Sequence, residues 1–289
     1  MNKKIISLCI FVSILILIPV NSVTGKNIFK NTSENNPENF NNYWAVIVTV
    51  GEPKRDDKNA VELYNLLINH GWDENNILYI KEENATKDDI LSIPDWLNIQ
   101  GAEQDDLILF YFSMHGGKTD DVFPYDEPDD IDEFVIPYKQ DEKEGNILDE
   151  ELADMFDNIF SENLIIIFET CYSGGMIDGA DDLRKSGRII ITSAKEDETS
   201  YAYYFREGWL FPYYLNRGLQ GRADKNRDGF VTAEEAYRYT RFPVILRSTI
   251  YGYLLYIFHK SLFNQHPQIY DGWPSEENNE EELILTCFN

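Results

Sequence analysis

Five short continuous apolar runs punctuate the chain between Tyr43 and Ala194. They are "YWAVIVTVG" from Tyr43, "NILYI" from Asn76, "DLILFYFSMHGG" from Asp106, "NLIIIFET" from Asn163 and "GRIIITSA" from Gly187. None alternates apolar with polar positions, so each is predicted to be a strand buried on both faces. Between them the apolar spacing changes to three and four. Val61, Leu63, Tyr64, Leu67 and Ile68 predict a helix over 57–69, ended by Gly71 in a C-cap role. A second helix is predicted over 86–98, opened by cap-like Thr86 with Asp88 and Asp89 in its first turn and limited by Pro94. A third, with an acidic first turn, is predicted over 149–160. Fully apolar strands separated by helices predict an α/β fold with a mostly parallel central sheet covered on both faces.

The remaining segments fit around that sheet. Residues 26–42 are polar, Asn-rich and aperiodic, and are predicted to be a linker. Residues 118–146 read as a long acidic, proline-bearing connection with one strand candidate, "FVIPY"; its "TDDVFPYDEPDDIDEF" stretch is a solvated loop or a self-processing segment. "VILRSTIYGYLLYIF" over 244–258 is too short to span a bilayer and reads as a core element, and "NQHPQIYDGWP" as a structural turn. His70 is expected at the surface near a helix end.

Composition narrows the class. The chain has 289 residues, 43% hydrophobic, with a formal net charge of −26. That supports a packed core and excludes nucleic acid as an expected partner, because phosphates would be repelled. Lys3 and Lys4 precede an apolar run from Ile5 to Ile18, then Pro19 and small residues up to Gly25. This order is that of a secretory signal over residues 1–25, with an N-terminal membrane anchor as the alternative, so the protein is expected to be secreted or held at the outer face of the membrane. Apart from that segment no membrane span is expected. The domain proper is then 43–289, carrying Cys171 and Cys287, too few cysteines for a disulfide framework.

Two of the predicted strands end in reactive residues: His115 followed by Gly116 and Gly117, and Cys171 followed by Gly174 and Gly175. Catalytic groups of parallel α/β sheets gather beyond the carboxyl ends of strands. A right-handed crossover through the 149–160 helix would make these strands neighbours. An imidazole beside a thiol supports thiolate attack on a carbonyl, the glycines would let backbone approach the substrate, and the Gly116 and Cys171 amides are the natural oxyanion donors.

"YFSMHGG" and "FETCYSGGM", with "WAVIVTVG" upstream and "ITSAKEDETSYAYY" downstream, resemble the legumain branch of the caspase-like cysteine peptidases, over about Tyr43 to Tyr214. The resemblance implies a caspase-like αβα sandwich and peptide hydrolysis with His115 as base, Cys171 as nucleophile and Gly116 as oxyanion donor. It also implies a substrate pocket using Arg55, Thr199 and Glu207, while Tyr172 stands where the family has an acid. A cationic Arg55 would favour cleavage after aspartate or asparagine; a pocket dominated by acids would favour arginine or lysine.

A separate motif follows. "DKNRDGFVTAEE" fits the EF-hand pattern Asp-x-Asn-x-Asp-Gly-x5-Glu at every required place. Asp224, Asn226, Asp228, Thr232 and Glu235 offer side-chain oxygens, Phe230 a backbone carbonyl, and Gly229 the sharp turn. Calcium is therefore the expected cofactor. No second loop pairs with it, which suits modest, extracellular-range affinity. The expectation is an exported cysteine endopeptidase acting on peptides or proteins, with calcium dependence and self-processing as further expectations. Its rivals are a transamidase that passes the same acyl-enzyme to an amine, and a catalytically silent calcium-binding surface protein.

Overall fold

The apolar runs form a single six-stranded sheet in the order β10-β8-β7-β3-β1-β2. The computed structural model describes residues 40–51, 56–120, 130–139, 145–178, 183–203, 208–259, 264–275 and 282–288. The central strands are β1 (Tyr43–Thr49), β2 (Ile77–Lys81), β3 (Leu107–Ser113), β7 (Leu164–Glu169) and β8 (Arg188–Thr192), all mutually parallel. β10 (Gln268–Asp271) closes one edge antiparallel to β8. The segment read as a structural turn thus contains an edge strand, a role that four half-buried residues fill without an apolar run.

Each central strand sends alternate residues to two cores, which is why none of them alternates in polarity. Ala45, Ile47, Leu109, Tyr111, Ile165 and Ile167 face one cluster, with α1 (Asp56–Asn69), α5 (Leu210–Arg217) and α6 (Ala233–His259) over them. Val46, Val48, Phe110, Phe112, Ile166 and Phe168 face the other. That face is covered by α2 (Lys87–Leu91), α3 (Ile93–Gln100) and α4 (Asp149–Asp157). The result is the three-layer αβα sandwich expected.

Local signals mostly act as their chemistry dictates. Gly71 takes φ 96° after α1, and Thr86 makes a reciprocal capping box with Asp89. Pro94 acts differently from expectation. It opens a new helix, α3, in whose first turn its missing N–H costs nothing, and the break from α2 falls at Ser92. The acidic connection contributes a small antiparallel sheet of β4 (His115–Asp120), β5 (Ile131–Ile136) and β6 (Ile147–Leu148).

Two further readings are corrected. His70 is buried, not at the surface: its Nδ1 lies 2.9 Å from the Cys287 carbonyl and its ring packs edge-on to Phe288. The cause is β11 (Ile284–Cys287), a C-terminal strand that the sequence pattern did not single out. The 244–258 segment is the C-terminal part of α6, and only one side of it is core: Val244 and Ser248 are buried, whereas Leu246, Ile250, Tyr253 and Leu254 are exposed.

Candidate active site

The parallel register builds the site. Ser113 pairs with Glu169 where β3 and β7 end. His115 and Cys171 each lie two residues further, so equal offsets carry both to the same rim. The ladder is extended there by Val50 N–H to Ser113 O, 3.0 Å, and Met114 N–H to Glu169 O, 3.3 Å. A cleft opens at this rim, lined by Val50, Met114, His115, Glu169, Thr170, Cys171, Ser200 and Trp209. It lies where β1, β3 and β7 end, beside the point between β1 and β3 at which strand order reverses.

Cys171 is half-buried and not in a disulfide; Cys287, also free, is buried elsewhere. Burial pushes the Cys171 thiol up, the Ser200 amide donating to its sulfur opposes this, and the Glu169 carboxylate pushes it up further. The resting group is therefore a thiol that needs a base, and exposed His115 shares its cleft. The Cys171 amide makes no hydrogen bond among the described residues, which leaves it open to an oxyanion. Tyr172 follows at φ 61°, a left-handed turn held by its N–H to Glu198 O at 2.8 Å. That turn swings the chain away from the rim immediately after the sulfur.

The glycines serve internal packing more than substrate access, which corrects the expectation. A Cβ on Gly174 would sit 2.5 Å from Glu196 N, and one on Gly175 would fall 1.9 Å from Glu133 Cδ. A Cβ on Gly117 would meet the Phe134 ring at 2.5 Å. Gly116 is the one that touches the site: its Cβ would lie 2.4 Å from the Cys171 carbonyl oxygen. Gly116→Ala is accordingly expected to lower kcat by about 100-fold or more while the protein stays folded, as hydrolysis rates and circular dichroism would show.

Of the pocket residues implied by resemblance, Thr199 is not among those lining the cleft; its neighbour Ser200 takes that position. Arg55 and Glu207 lie outside the described residues. The lining residues that sequence reasoning missed include Glu169 and Trp209. Glu169 is buried, in contact with Ser200 Oγ, with its carboxylate beside the sulfur. A carboxylate ending an apolar strand was the available signal. Trp209 is fixed by its N–H to Asn59 Oδ1, 2.8 Å, from α1, a contact between segments far apart in sequence.

Part of the chain that carries this cleft is similar to known proteins. Residues 59–180 match the metacaspase, peptidase C14 domain. Metacaspase-1 of Candida albicans is 30% identical over 135 residues, 43% of this chain and 29% of that protein. Metacaspase-1 of Yarrowia lipolytica is 36% identical over 95 residues, 32% of this chain and 20% of that protein. The matched part thus spans less than a third of the length of these relatives. A Geobacter sulfurreducens protein of known crystal structure superposes with a TM-score of 0.56 at 14% identity, over 86% of this chain and all of that one, which shows the fold alone. Residues 59–180 are thus similar to the peptidase domain of metacaspases, which are caspase-like cysteine peptidases.

Beyond the metacaspase match lies the EF-hand-type loop. Arg227 takes φ 63° and Gly229 φ 90°, so the chain turns where the motif requires. Asp224 Oδ1 accepts from Arg227 N–H at 2.6 Å, Asn226 Oδ1 from Asp228 N–H at 3.1 Å, and Asp228 Oδ1 from Phe230 N–H at 2.9 Å. Thr232 Oγ1 donates to Glu282 at 2.8 Å. Burial, with Glu282 and Asp228 nearby, pushes the Glu235 carboxyl up. β9 (Phe230–Thr232) pairs antiparallel with β11, so the C-terminal strand stands where a second calcium loop would contribute its own. The residue types and turns fit a calcium ion. Its binding would draw Glu235 inward, away from the Thr232 N–H that it now accepts at 3.4 Å.

A second acidic locus joins the metacaspase-like part. Asp132 on β5 and Asp149 and Glu150 at the start of α4 bring carboxylate oxygens within 4.8 Å of one another, the first two fully buried. Carboxylates so close and dry require donors, protons or a cation for compensation. No local motif announces them, because β5 and α4 are separate in sequence.

Proposed function

We propose that this chain is an exported cysteine endopeptidase that cleaves after arginine or lysine and is stabilised by calcium. The observation that carries the reading is the shared cleft of His115, Cys171 and Glu169. Cys171 Sγ attacks the scissile carbonyl while its proton passes to His115. The Cys171 and Gly116 amides receive the oxyanion. Collapse to the thioester releases the amine, which takes the proton from His115. His115 then deprotonates a water that hydrolyses the thioester and regenerates the thiol. No side chain among the described residues hydrogen-bonds His115, so this is a dyad.

A basic residue before the cleaved bond follows from Glu169. The Glu169 carboxylate, in contact with Ser200 Oγ in the cleft, is an anion that an arginine or lysine side chain of the substrate would complement. Cleavage after asparagine or aspartate, as in legumains, rests on Arg55. Transamidation uses the same acyl-enzyme and would appear as product that depends on added amine. A peptide-library profile tests the proposal: cuts after arginine or lysine are expected. Cuts confined to asparagine or aspartate, or no labelling of Cys171 by a peptide acyloxymethyl ketone, would overturn it.

Calcium supplies a divalent charge that compensates the loop carboxylates. The support is the complete motif with its two left-handed turns, and its place in the chain. α5 starts at the residue after Trp209 in the cleft and leads toward Asp224, so ordering the loop steadies one wall of the site. At calcium a hundredfold above Kd, stability should rise by about 2.7 kcal/mol, or roughly 5–10 °C in Tm for a domain of this size. Thermal melts with calcium and with chelator check this. Glu235→Gln should remove most of the increment, and an unchanged increment would exclude the loop as its source. Export rests on the first 25 residues; a mature N-terminus near residue 26 in the culture medium is the expected result.

A further inference from the structure

The stretch "NQHPQIYDGWP" does more than turn the chain. Between α6 and β10 it places Gln265, whose side chain is completely buried against the wall of the cleft. A primary amide offers two donors and two acceptor lone pairs, and burying it costs free energy unless they find partners. Gln265 Oε1 accepts from Tyr201 N–H at 3.1 Å. Its Nε2 donates to Ser193 O at 3.0 Å and reaches Ser200 Oγ at 3.5 Å. Tyr201 N–H can only donate and Ser193 O can only accept, so the amide has one orientation. The Gln265 main-chain N–H donates to Ser248 Oγ on α6 at 3.0 Å. His266 grips the same loop, its N–H donating to Glu198 Oε2 at 2.7 Å and its Nδ1 lying 2.5 Å from Glu198 Oε1.

What these two residues grip is the part of the wall that touches the reactive groups. Glu198 O accepts the Tyr172 N–H that fixes the turn after Cys171. Ser200 N–H donates to the sulfur, and Ser200 Oγ contacts Glu169 Oε1. We infer that Gln265 is a positioning residue that sets how Glu169 selects a basic substrate side chain. This rests on the reading of Glu169 as the carboxylate that meets that side chain. A serine hydroxyl carries one proton. With a Gln265 N–H aimed at Ser200 Oγ, that oxygen accepts on one side and gives its proton to Glu169 on the other. The bond to the carboxylate is charge-assisted and holds it in one orientation in the cleft. Without the amide the hydroxyl is free to turn away, and the carboxylate loses the donor that orients it. Tyr201 N–H and Ser193 O would satisfy a purely structural amide; the contact with Ser200 is the one that reaches the site.

The test is a selectivity ratio measured on the full chain: kcat/KM for an arginine peptide over that for its citrulline counterpart, which has the same shape without the charge. Gln265→Met, similar in length but without polar groups, should lower the ratio by about tenfold. Ser200→Ala should lower it about as much. Gln265→Met added to Ser200→Ala should lower it no further, while Tm still falls, because Gln265 acts on selectivity through that hydroxyl alone. If Gln265→Met does not fold, Gln265→Asn is read in its place, an amide one methylene too short to reach Ser200 as well as Ser193. A structural Gln265 would lower Tm and both rates together and leave the ratio as it was. That result, an unchanged ratio in Ser200→Ala, or losses that add in the double variant overturn the inference alone. A wild type that does not favour arginine over citrulline overturns the reading of Glu169, and this inference with it.

Discussion

Cys171→Ala is expected to abolish peptide hydrolysis, a loss of about 10⁴-fold or more, because it removes the thiol that shares the cleft with His115 and forms the acyl-enzyme. Binding should survive: the alanine variant should retain affinity for an uncleaved peptide, so that the loss falls on kcat. His115→Ala should be nearly as damaging, since the two act as a unit. The two variants separate in one measurement. Burial and Glu169 hold the Cys171 thiol up, so alkylation of the wild type depends on transfer of its proton to His115. Without the imidazole, alkylation should require more alkaline pH. An unchanged alkylation profile in His115→Ala would separate the two residues and remove the dyad.

Glu169→Gln carries the next largest effect, and its two consequences run in opposite directions. Loss of the carboxylate removes the partner of a basic substrate side chain, and kcat/KM for arginine and lysine peptides should fall by about 10²–10³-fold, as when one member of a buried charge pair is truncated. The same change removes one of the causes that raise the Cys171 thiol. Thiolate then forms at lower pH, and the alkylation profile should shift toward acid. A general collapse of the site would reduce both activities together, so this opposition distinguishes a specificity residue from a structural one. The pH dependence follows in sign: the attacking form is favoured as pH rises, so the acidic limb of activity in Glu169→Gln should also move to lower pH, with any residual substrate.

The readings that went wrong share one cause. The expectation placed His70 in water because its helix ends there, yet β11 arrives from the far end of the chain to bury it against Phe288. It assigned the doubled glycines to substrate approach, whereas Gly175 makes room for Glu133 from β5. It took 244–258 as core on apolar content alone, although its spacing in α6 leaves one side in solvent. Each outcome depends on which distant segment packs against the residue, and hydrophobicity along the chain carries no such information.

The sequence by itself determined the five central strands, their parallel arrangement and the position of one thiol and one imidazole just beyond two strand ends. Apolar runs without alternation can only be satisfied in a sheet covered on both faces, and a thiol and an imidazole at strand ends have few other uses. Tertiary structure alone decided what surrounds that pair. The β3–β7 register sets His115 level with Cys171, and the cleft draws Glu169, Ser200 and Trp209 from β7, the chain after β8 and the start of α5. Strand formation is a local free-energy balance that nearby residues fix. A pocket is a meeting of surfaces, and it exists only once the layers have closed.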